Sequence, residues 1–480
     1  MKAHTAAICA LFLAASGAAG CASAPDGGWV TTGDQSRLMQ HEPLMMRRAA
    51  VQATGQATGQ ATGQATGQAV LLDPQTPLQT MDGFGAAITD ASAHLIQSRM
   101  TPAQRDALMR DLFGRADGGL GFDFTRVTIG ASDFSLSHYS LADQADSSLA
   151  GFSAAPMAAE VFPTVRQALA VNPQLKIMAT PWSAPGWMKT TGSMIQGELK
   201  PEYYSTYAEY LMRYIAEAAA DGVPTHYISI QNEPDFEPDS YPGMRWGPQG
   251  RATFIGRNLG PRLERLGLET KILDWDHNWD KPEQPLGVLA DPEARAYVSG
   301  VAWHCYAGDV SAQSKVFDAY PDKDVFFTEC SGGEWAPAFK DSFVWTMKSL
   351  IIGAVENHAR GVLMWNIALD ENHGPHAGGC GDCRGVVTID SRTGAVQKNQ
   401  EYYAFGHASR FVRQGARRVA VAKPEGLEAV GFVNPDGRRV LVVLNPADVE
   451  ARFDVGEAGR RAQVLLPASS AATYVWSSPR

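Results

Sequence analysis

Eight short runs rich in β-branched and aromatic residues recur along the chain, separated by stretches in which apolar residues follow helical spacing. The runs are Gly83–Ala87, Phe124–Ile129, Lys176–Pro181, Tyr227–Gln231, Lys271–Asp276, Gly300–His304, Val325–Glu329 and Gly361–Asn366. The helical stretches include Thr101–Leu112, Ala158–Ala170, Pro201–Ala220, Ala252–Leu266 and Phe343–Ala359. Strict alternation of strand and helix over eight strands predicts an α/β fold, a (β/α)8 TIM barrel spanning residues 83–415. An open doubly wound sheet competes with it, but no Gly-x-Gly-x-x-Gly follows the first run.

Past Phe411 the pattern changes to short alternating runs: Arg418–Val421, Leu427–Val433, Arg439–Leu444, Ala451–Val455, Gln463–Leu465 and Thr473–Trp476. Asn434-Pro435-Asp436-Gly437 supplies a tight turn between two of them. Residues 416–480 therefore read as a small all-β sandwich that would be only marginally stable alone. Residues 69–82, with Val70-Leu71-Leu72, are expected to add a strand to it from before the barrel.

The first 21 residues read as an export leader. Lys2 precedes a short apolar run from Ala6 to Ala15, too short to span a bilayer, and small residues lead to Cys21. Ala18-Ala19-Gly20-Cys21 resembles a lipoprotein box, which makes Cys21 a lipidation candidate, with Ala18 where leucine is usual. The expectation is a protein exported from a bacterial cell, periplasmic or held at the outer membrane by a lipid anchor, otherwise secreted. Residues 22–68, with Ala-Thr-Gly-Gln repeated four times over 53–68, read as a disordered linker, because nothing in the repeat offsets its ordering entropy. Outside the leader and Cys21, four cysteines remain for an oxidising compartment. Cys380 and Cys383 read as a disulfide staple or as loop thiols; a zinc site would need a second Cys/His pair that the sequence lacks. A net charge of −10 argues against nucleic acid, whose binding draws on clustered Lys and Arg.

Polar and aromatic residues gather where the predicted strands end, the rim that carries chemistry in such barrels. Gln231-Asn232-Glu233-Pro234 follows the fourth run, and Phe327-Thr328-Glu329-Cys330 ends the seventh. Two carboxylates on separate strand tips are what acid/base plus nucleophilic cleavage of a glycosidic bond requires. Around them fall Thr89-Asp90, Arg126, Asp133, Trp182, Asp276-His277-Asn278-Trp279, His304, Tyr306 and Trp365. Eight such clusters converging on one rim are hard to explain as packing.

Together these stretches resemble glycoside hydrolase family 30, which includes lysosomal glucosylceramidase and bacterial and fungal endo-β-1,6-glucanases. Asp82-Gly83-Phe84-Gly85, Arg126–Ser135, Pro181–Thr190, Asn232-Glu233-Pro234, His304-Cys305-Tyr306, Thr328-Glu329, Trp365-Asn366 and Tyr402–Arg410 carry the resemblance. It implies a retaining β-glycosidase, glucosylceramidase-like, acting on a β-glucoside, a glucan oligosaccharide or a glycolipid, with no cofactor and no metal. Endo-β-1,6-glucanase or β-xylosidase activity is the alternative within the family. Glu233 becomes the acid/base and Glu329 the nucleophile, with Arg126 and Tyr306 as donors to Glu329. Asn232 is expected on the sugar 2-hydroxyl, Asp133 on other hydroxyls, and the indoles of Trp182 and Trp365 on the sugar's C–H face. His304 is expected to orient a partner, because the two glutamates fill both proton roles. Arg126 pairing with Asp133 is the plainer structural reading. Trp187 reads equally as core or site, Trp246 and Trp279 as rim platforms or loop anchors, and Glu237 and Glu334 as loop charges. His376 stands where relatives tend to have an asparagine near the sugar. A carbohydrate-binding surface lipoprotein without catalysis is the non-enzyme alternative, although binding alone has no use for both glutamates. A metal-dependent barrel hydrolase would need a ligand set whose spacing the sequence does not show.

Overall fold

Seven side chains, one from each of seven strands, plug the centre of a closed eight-stranded parallel barrel: Phe124, Met178, Tyr227, Leu273, Ala302, Phe326 and Leu363. The computed structural model describes residues 26–48 and 68–477. The barrel strands are β1 (Gly83–Ala87), β2 (Phe124–Ile129), β3 (Lys176–Pro181), β4 (Tyr227–Ser229), β5 (Lys271–Asn278), β6 (Val298–His304), β7 (Asp324–Glu329) and β8 (Ala359–Asn366). Their order around the barrel follows the chain, and β8 closes on β1. The strands agree with the eight runs, with ends shifted by up to two residues. Gly85 lies where β1 approaches β2: a side chain there would meet the Phe124 carbonyl oxygen at 1.8 Å.

Because side chains alternate along a strand, the residue two positions beyond each plug residue also points inward, nearer the rim. Thus Phe124 leads to Arg126, Met178 to Thr180, Ala302 to His304, Phe326 to Thr328 and Leu363 to Trp365. Strand β5 breaks the rule. Its register against β6 slips between Trp275 and His277, and Trp275 and Asp276 adopt left-handed φ values of 76° and 51°. That extra residue turns Asp276 inward. The helices pack outside. Thr101 and Gln104 form a capping box on the helix Pro102–Phe113, and Tyr204–Ala220 buries Tyr207, Tyr210, Leu211 and Tyr214 along one face.

The sandwich is larger at its N-terminal side than the sequence suggests. Residues 22–68 are expected to be a linker, yet Gly27–Thr32, Gln40–Glu42 and Arg47–Arg48 are strands of its ten-stranded sheet. Gly27–Thr32 pairs along its whole length with Ser470–Trp476, and Trp29 packs on Phe411 at a ring distance of 4.5 Å. Burial of Trp29 and Val30 supplies the apolar surface that the repeat lacks. The leader, Cys21 and the repeat as far as residue 67 lie outside the described residues. Ala69–Thr80 joins the same sheet between Arg417–Ala422 and Ala451–Glu457, as expected from the sequence. In the turn after Val433, Gly437 donates to the Asn434 carbonyl at 2.8 Å with φ 82°. His407 of the last barrel helix and Thr473 of the sandwich hydrogen-bond to each other, tying the two layers.

Candidate active site

Arg126 is fully buried and holds four groups together. Nη1 donates to Glu329, Nη2 donates to Asn232 Oδ1 and Asp276 Oδ2, both at 2.8 Å, and Nε donates to Thr180 at 3.2 Å. Its guanidinium also lies 4.8 Å from the Trp182 ring and 5.5 Å from Trp365. The donor role toward Glu329 is therefore realised, and the pairing with Asp133 is replaced by one with Asp276. Tyr306 supplies the second donor to Glu329, its hydroxyl lying 3.0 Å from Oε1. By engaging Asn232 Oδ1, Arg126 also dictates that the amide's Nδ2 is the end left for the cleft.

His304 sits between two carboxylates, Nε2 at 3.0 Å from Asp276 Oδ1 and Nδ1 at 3.1 Å from Glu233 Oε1. Burial alone would lower its pKa, but Glu329, Asp276 and Glu233 push it up to about 9, so it is a cation at neutral pH. Burial also acts on Asp276, yet Arg126 and His304 hold its carboxyl well below the usual range. Asp276 accepts from Thr328 at 2.7 Å as well, which makes it the anionic hub beneath both glutamates. Sequence reading leaves it in a polar cluster without a role, because the β5 bulge that turns it inward leaves no mark in the residue pattern.

Glu233 follows β4 with a left-handed φ of 49°, and its backbone N–H donates to the Asp276 carbonyl at 3.1 Å. Burial raises its carboxyl above the ordinary value against the pull of His304, and the Glu329 charge adds to the rise. Carboxylate oxygens of Glu233 and Glu329 come within 4.8 Å of each other. Inverting glycosidases hold their carboxyls about 6.5–9.5 Å apart to admit a water, and retaining ones about 5–5.5 Å. His304 shares this compact cluster, a size that suits an ion. However, both its ring nitrogens are engaged by carboxylates and Arg126 caps Glu329, so the chain's own cations occupy that position.

The glutamates open onto a cleft of about 560 Å³ that Asp133, Trp182, Asn232, Tyr306 and Trp365 also line. Asp133 keeps Oδ1 buried and without a partner, and burial, with Glu329 and Glu233 nearby, pushes its carboxyl up to about 8. Protonated, it can both donate to and accept from a sugar hydroxyl. Trp182 and Trp365 are not open platforms, because they stack on each other at 4.9 Å and 20°, next to Arg126. Besides Tyr306, the exposed aromatics of the cleft are Phe236 and Trp335, 45% and 56% exposed, which sequence reading missed. Trp246 and Trp279 are buried loop anchors, and Trp187 is part-buried with its indole N–H on the Ala142 carbonyl. Glu237 pairs with Arg245 and Glu334 with Arg384, as loop charges. His376 packs on Phe134 and bonds the Gly378 carbonyl at 2.9 Å. Two disulfides flank the site: Cys305–Cys330, joining the residues after His304 and Glu329, and Cys380–Cys383 at the cleft wall.

The profile of the glycosyl hydrolase family 30 TIM-barrel domain matches residues 81–412, and that of the family 30 β-sandwich domain matches residues 415–474. An endo-1,6-β-D-glucanase of Neurospora crassa is 35% identical over 393 residues, covering 78% of this chain and 80% of its own. The lysosomal acid glucosylceramidase of Mus musculus is 30% identical over 435 residues, covering 84% and 82%. A solved endo-β1,6-glucanase superposes with a TM-score of 0.85 at 30% identity, over 95% of this chain and 100% of its own. The two profiles fall on the barrel and the sandwich, the relatives span most of both, and the chain therefore belongs to glycoside hydrolase family 30 and is a glycoside hydrolase.

Proposed function

We propose that the protein hydrolyses β-glucosidic bonds with retention, Glu329 acting as nucleophile and Glu233 as acid/base. The observation that carries this reading is the asymmetry of two close carboxyls. Glu329 takes donors from Arg126 and Tyr306, whereas Glu233, with its raised proton affinity, faces His304. In the first step a Glu329 oxygen bonds to the anomeric carbon while Glu233 protonates the departing glycosidic oxygen. Esterification removes the Glu329 charge that helped keep Glu233 protonated. Glu233, now a carboxylate, takes a proton from water as that water attacks the anomeric carbon and Glu329 leaves. Two inversions give net retention.

β-1,6-Glucan oligosaccharides are the substrate class we favour, because the endo-1,6-glucanase relatives reach the higher identity and span the chain. Glucosylceramide-type glycolipid is the second reading, supported by the glucosylceramidase relative. Export through the leader, with or without lipid at Cys21, belongs to the same proposal and rests on Lys2, the apolar run from Ala6 to Ala15 and the small residues before Cys21; the mass of the mature N-terminus tests it. Mass spectrometry after trapping with a 2-fluoro-glucoside is expected to place a covalent sugar on Glu329 and none in Glu329→Gln. Labelling elsewhere overturns the role assignment, and turnover of neither β-1,6-glucan nor glucosylceramide overturns the substrate reading.

A further inference from the structure

The segment Gly378-Gly379-Cys380-Gly381-Asp382-Cys383 holds three glycines in six residues, a composition that loses much backbone entropy on ordering. It nevertheless forms one wall of the active-site cleft. On one side it lies on Asp133. Ala377 N–H donates to the Asp133 carbonyl at 2.9 Å, and Gly379, with φ 71°, approaches so closely that a side chain there would meet Asp133 Cβ at 2.5 Å. On the other side it is paired to the chain just past the nucleophile. Cys383 and Arg384 form a two-residue ladder with Gly333 and Gly332, and Glu334 N–H donates to the Asp382 carbonyl at 3.0 Å. The Trp335 ring lies directly over Gly333, where an added Cβ would meet it at 2.0 Å. The Cys380–Cys383 bridge thus closes the one glycine-rich stretch between a carboxyl deep in the cleft and an indole at its mouth.

We propose that the Cys380–Cys383 disulfide is a positioning clasp that sets substrate affinity, keeping the wall from Asp133 to Trp335 in its binding form. The inference rests on the hydrolase reading of the cleft and adds a determinant of binding to it. Glu233, Glu329, Arg126 and His304 are held by β2, β4, β6 and β7 and do not depend on this loop, so the clasp acts on binding and not on the chemical step. Without the bridge, a wall ordered roughly one time in ten lowers apparent affinity by ~10-fold, because only that fraction binds.

The test is Cys380→Ser/Cys383→Ser assayed on 4-nitrophenyl β-glucoside and a linear β-1,6-glucan. KM is expected to rise by ~10-fold with kcat within about twofold of wild type. The dissociation constant for 1-deoxynojirimycin, measured by calorimetry, is expected to rise in parallel and requires no turnover. Wild-type protein inactive on every β-glucoside defeats the hydrolase reading, whereas calorimetry still reads the clasp. Unchanged KM and dissociation constant overturn the clasp, as does a fall in kcat equal to the loss in kcat/KM. Should the variant fail to fold, native wild type is treated with a water-soluble phosphine, which takes up oxygen from water as the S–S bond becomes two thiols. Alkylation then maps which cysteines opened, and affinity must fall in proportion to Cys380 labelling; affinity that ignores that labelling refutes the proposal.

Discussion

Replacing Asp276 by asparagine separates the charge of the hub from its shape. Its Oδ2 accepts from Arg126 and Thr180, its Oδ1 from His304 and Thr328, and all of these groups are buried. An asparagine amide can keep one oxygen toward Arg126, which cannot accept. Its NH2 must then face Thr328, whose hydroxyl can rotate, and His304, which can accept only by losing its Nε2 proton. His304 is raised from 6.5 to about 9 in the folded protein. A raised cationic pKa means stability that is complete below about pH 6.5 and lost as pH climbs through 9, worth about 3 kcal/mol at 1.36 kcal/mol per unit. Because Glu329 and Glu233 share in raising His304, Asp276→Asn should forfeit only part of that contribution at pH 6, on top of about 1 kcal/mol lost at Arg126, and the gap should narrow toward that residual by pH 9.5. Urea unfolding followed by tryptophan fluorescence from pH 6 to 9.5 reads both curves. Parallel curves with a constant offset would refute the imidazolium assignment. A second sign is coupled to the first. Losing the positive charge beside Glu233 strengthens its hold on the proton, so the alkaline limb of kcat/KM should move to higher pH in the variant.

Glu233→Gln should slow hydrolysis of β-1,6-glucan by roughly 100- to 10,000-fold while sparing the first step for aryl glucosides with good leaving groups, read by burst kinetics. Added azide should restore turnover as a β-glucosyl azide, and an α product would contradict retention. Tyr306→Phe removes one donor from Glu329 and should cost ~10-fold in kcat/KM, with little change in thermal midpoint because that residue is 45% exposed. Trp29→Ala should destabilise the protein by about 3–5 kcal/mol, since its buried ring packs on both His41 and Phe411; tolerance of that change would mean residues 27–32 are not integral to the fold.

The residues legible from sequence are those whose direction comes from strand alternation. Arg126, His304 and Thr328 stand two positions beyond apolar plug residues, so a run of β-rich residues ending in polar ones locates them. Glu233 and Asn232 are marked by the Gln231-Asn232-Glu233-Pro234 run just beyond β4. Asp276 is hidden because alternation from Leu273 aims Trp275 inward, and only the left-handed pair Trp275-Asp276 reverses that. Residue type also says nothing about which face of a ring is free: Trp182 and Trp365 both line the cleft, yet each covers one face of the other. Gly27–Thr32 escapes notice because the partner that pairs along its whole length lies more than 400 residues later, its near partner Gln40–Glu42 is only three residues long, and six residues carry no period of their own. The Cys305–Cys330 bridge does have a readable signal, each cysteine being the first residue beyond the tip of adjacent strands.

The three left-handed residues of the site form one device. Glu233, Trp275 and Asp276 have φ values of 49°, 76° and 51°, and none is glycine. Each such conformation costs on the order of 1 kcal/mol or more and persists only where its surroundings hold it. Here the restraint is mutual: the Glu233 N–H bonds the Asp276 carbonyl, while the Asp276 side chain holds His304, which holds the Glu233 carboxyl. Glu233, the proposed acid/base, is thereby fixed through both its backbone and its side chain to a single residue on β5. Arg126 ties Glu329, the proposed nucleophile, to that same Asp276 through side chains alone. Separation of the two carboxyls, on which the proposed retention depends, is thus governed by one buried aspartate whose side chain touches neither carboxyl, which is why its charge, more than any contact to sugar, should set how sharply the enzyme's activity depends on pH.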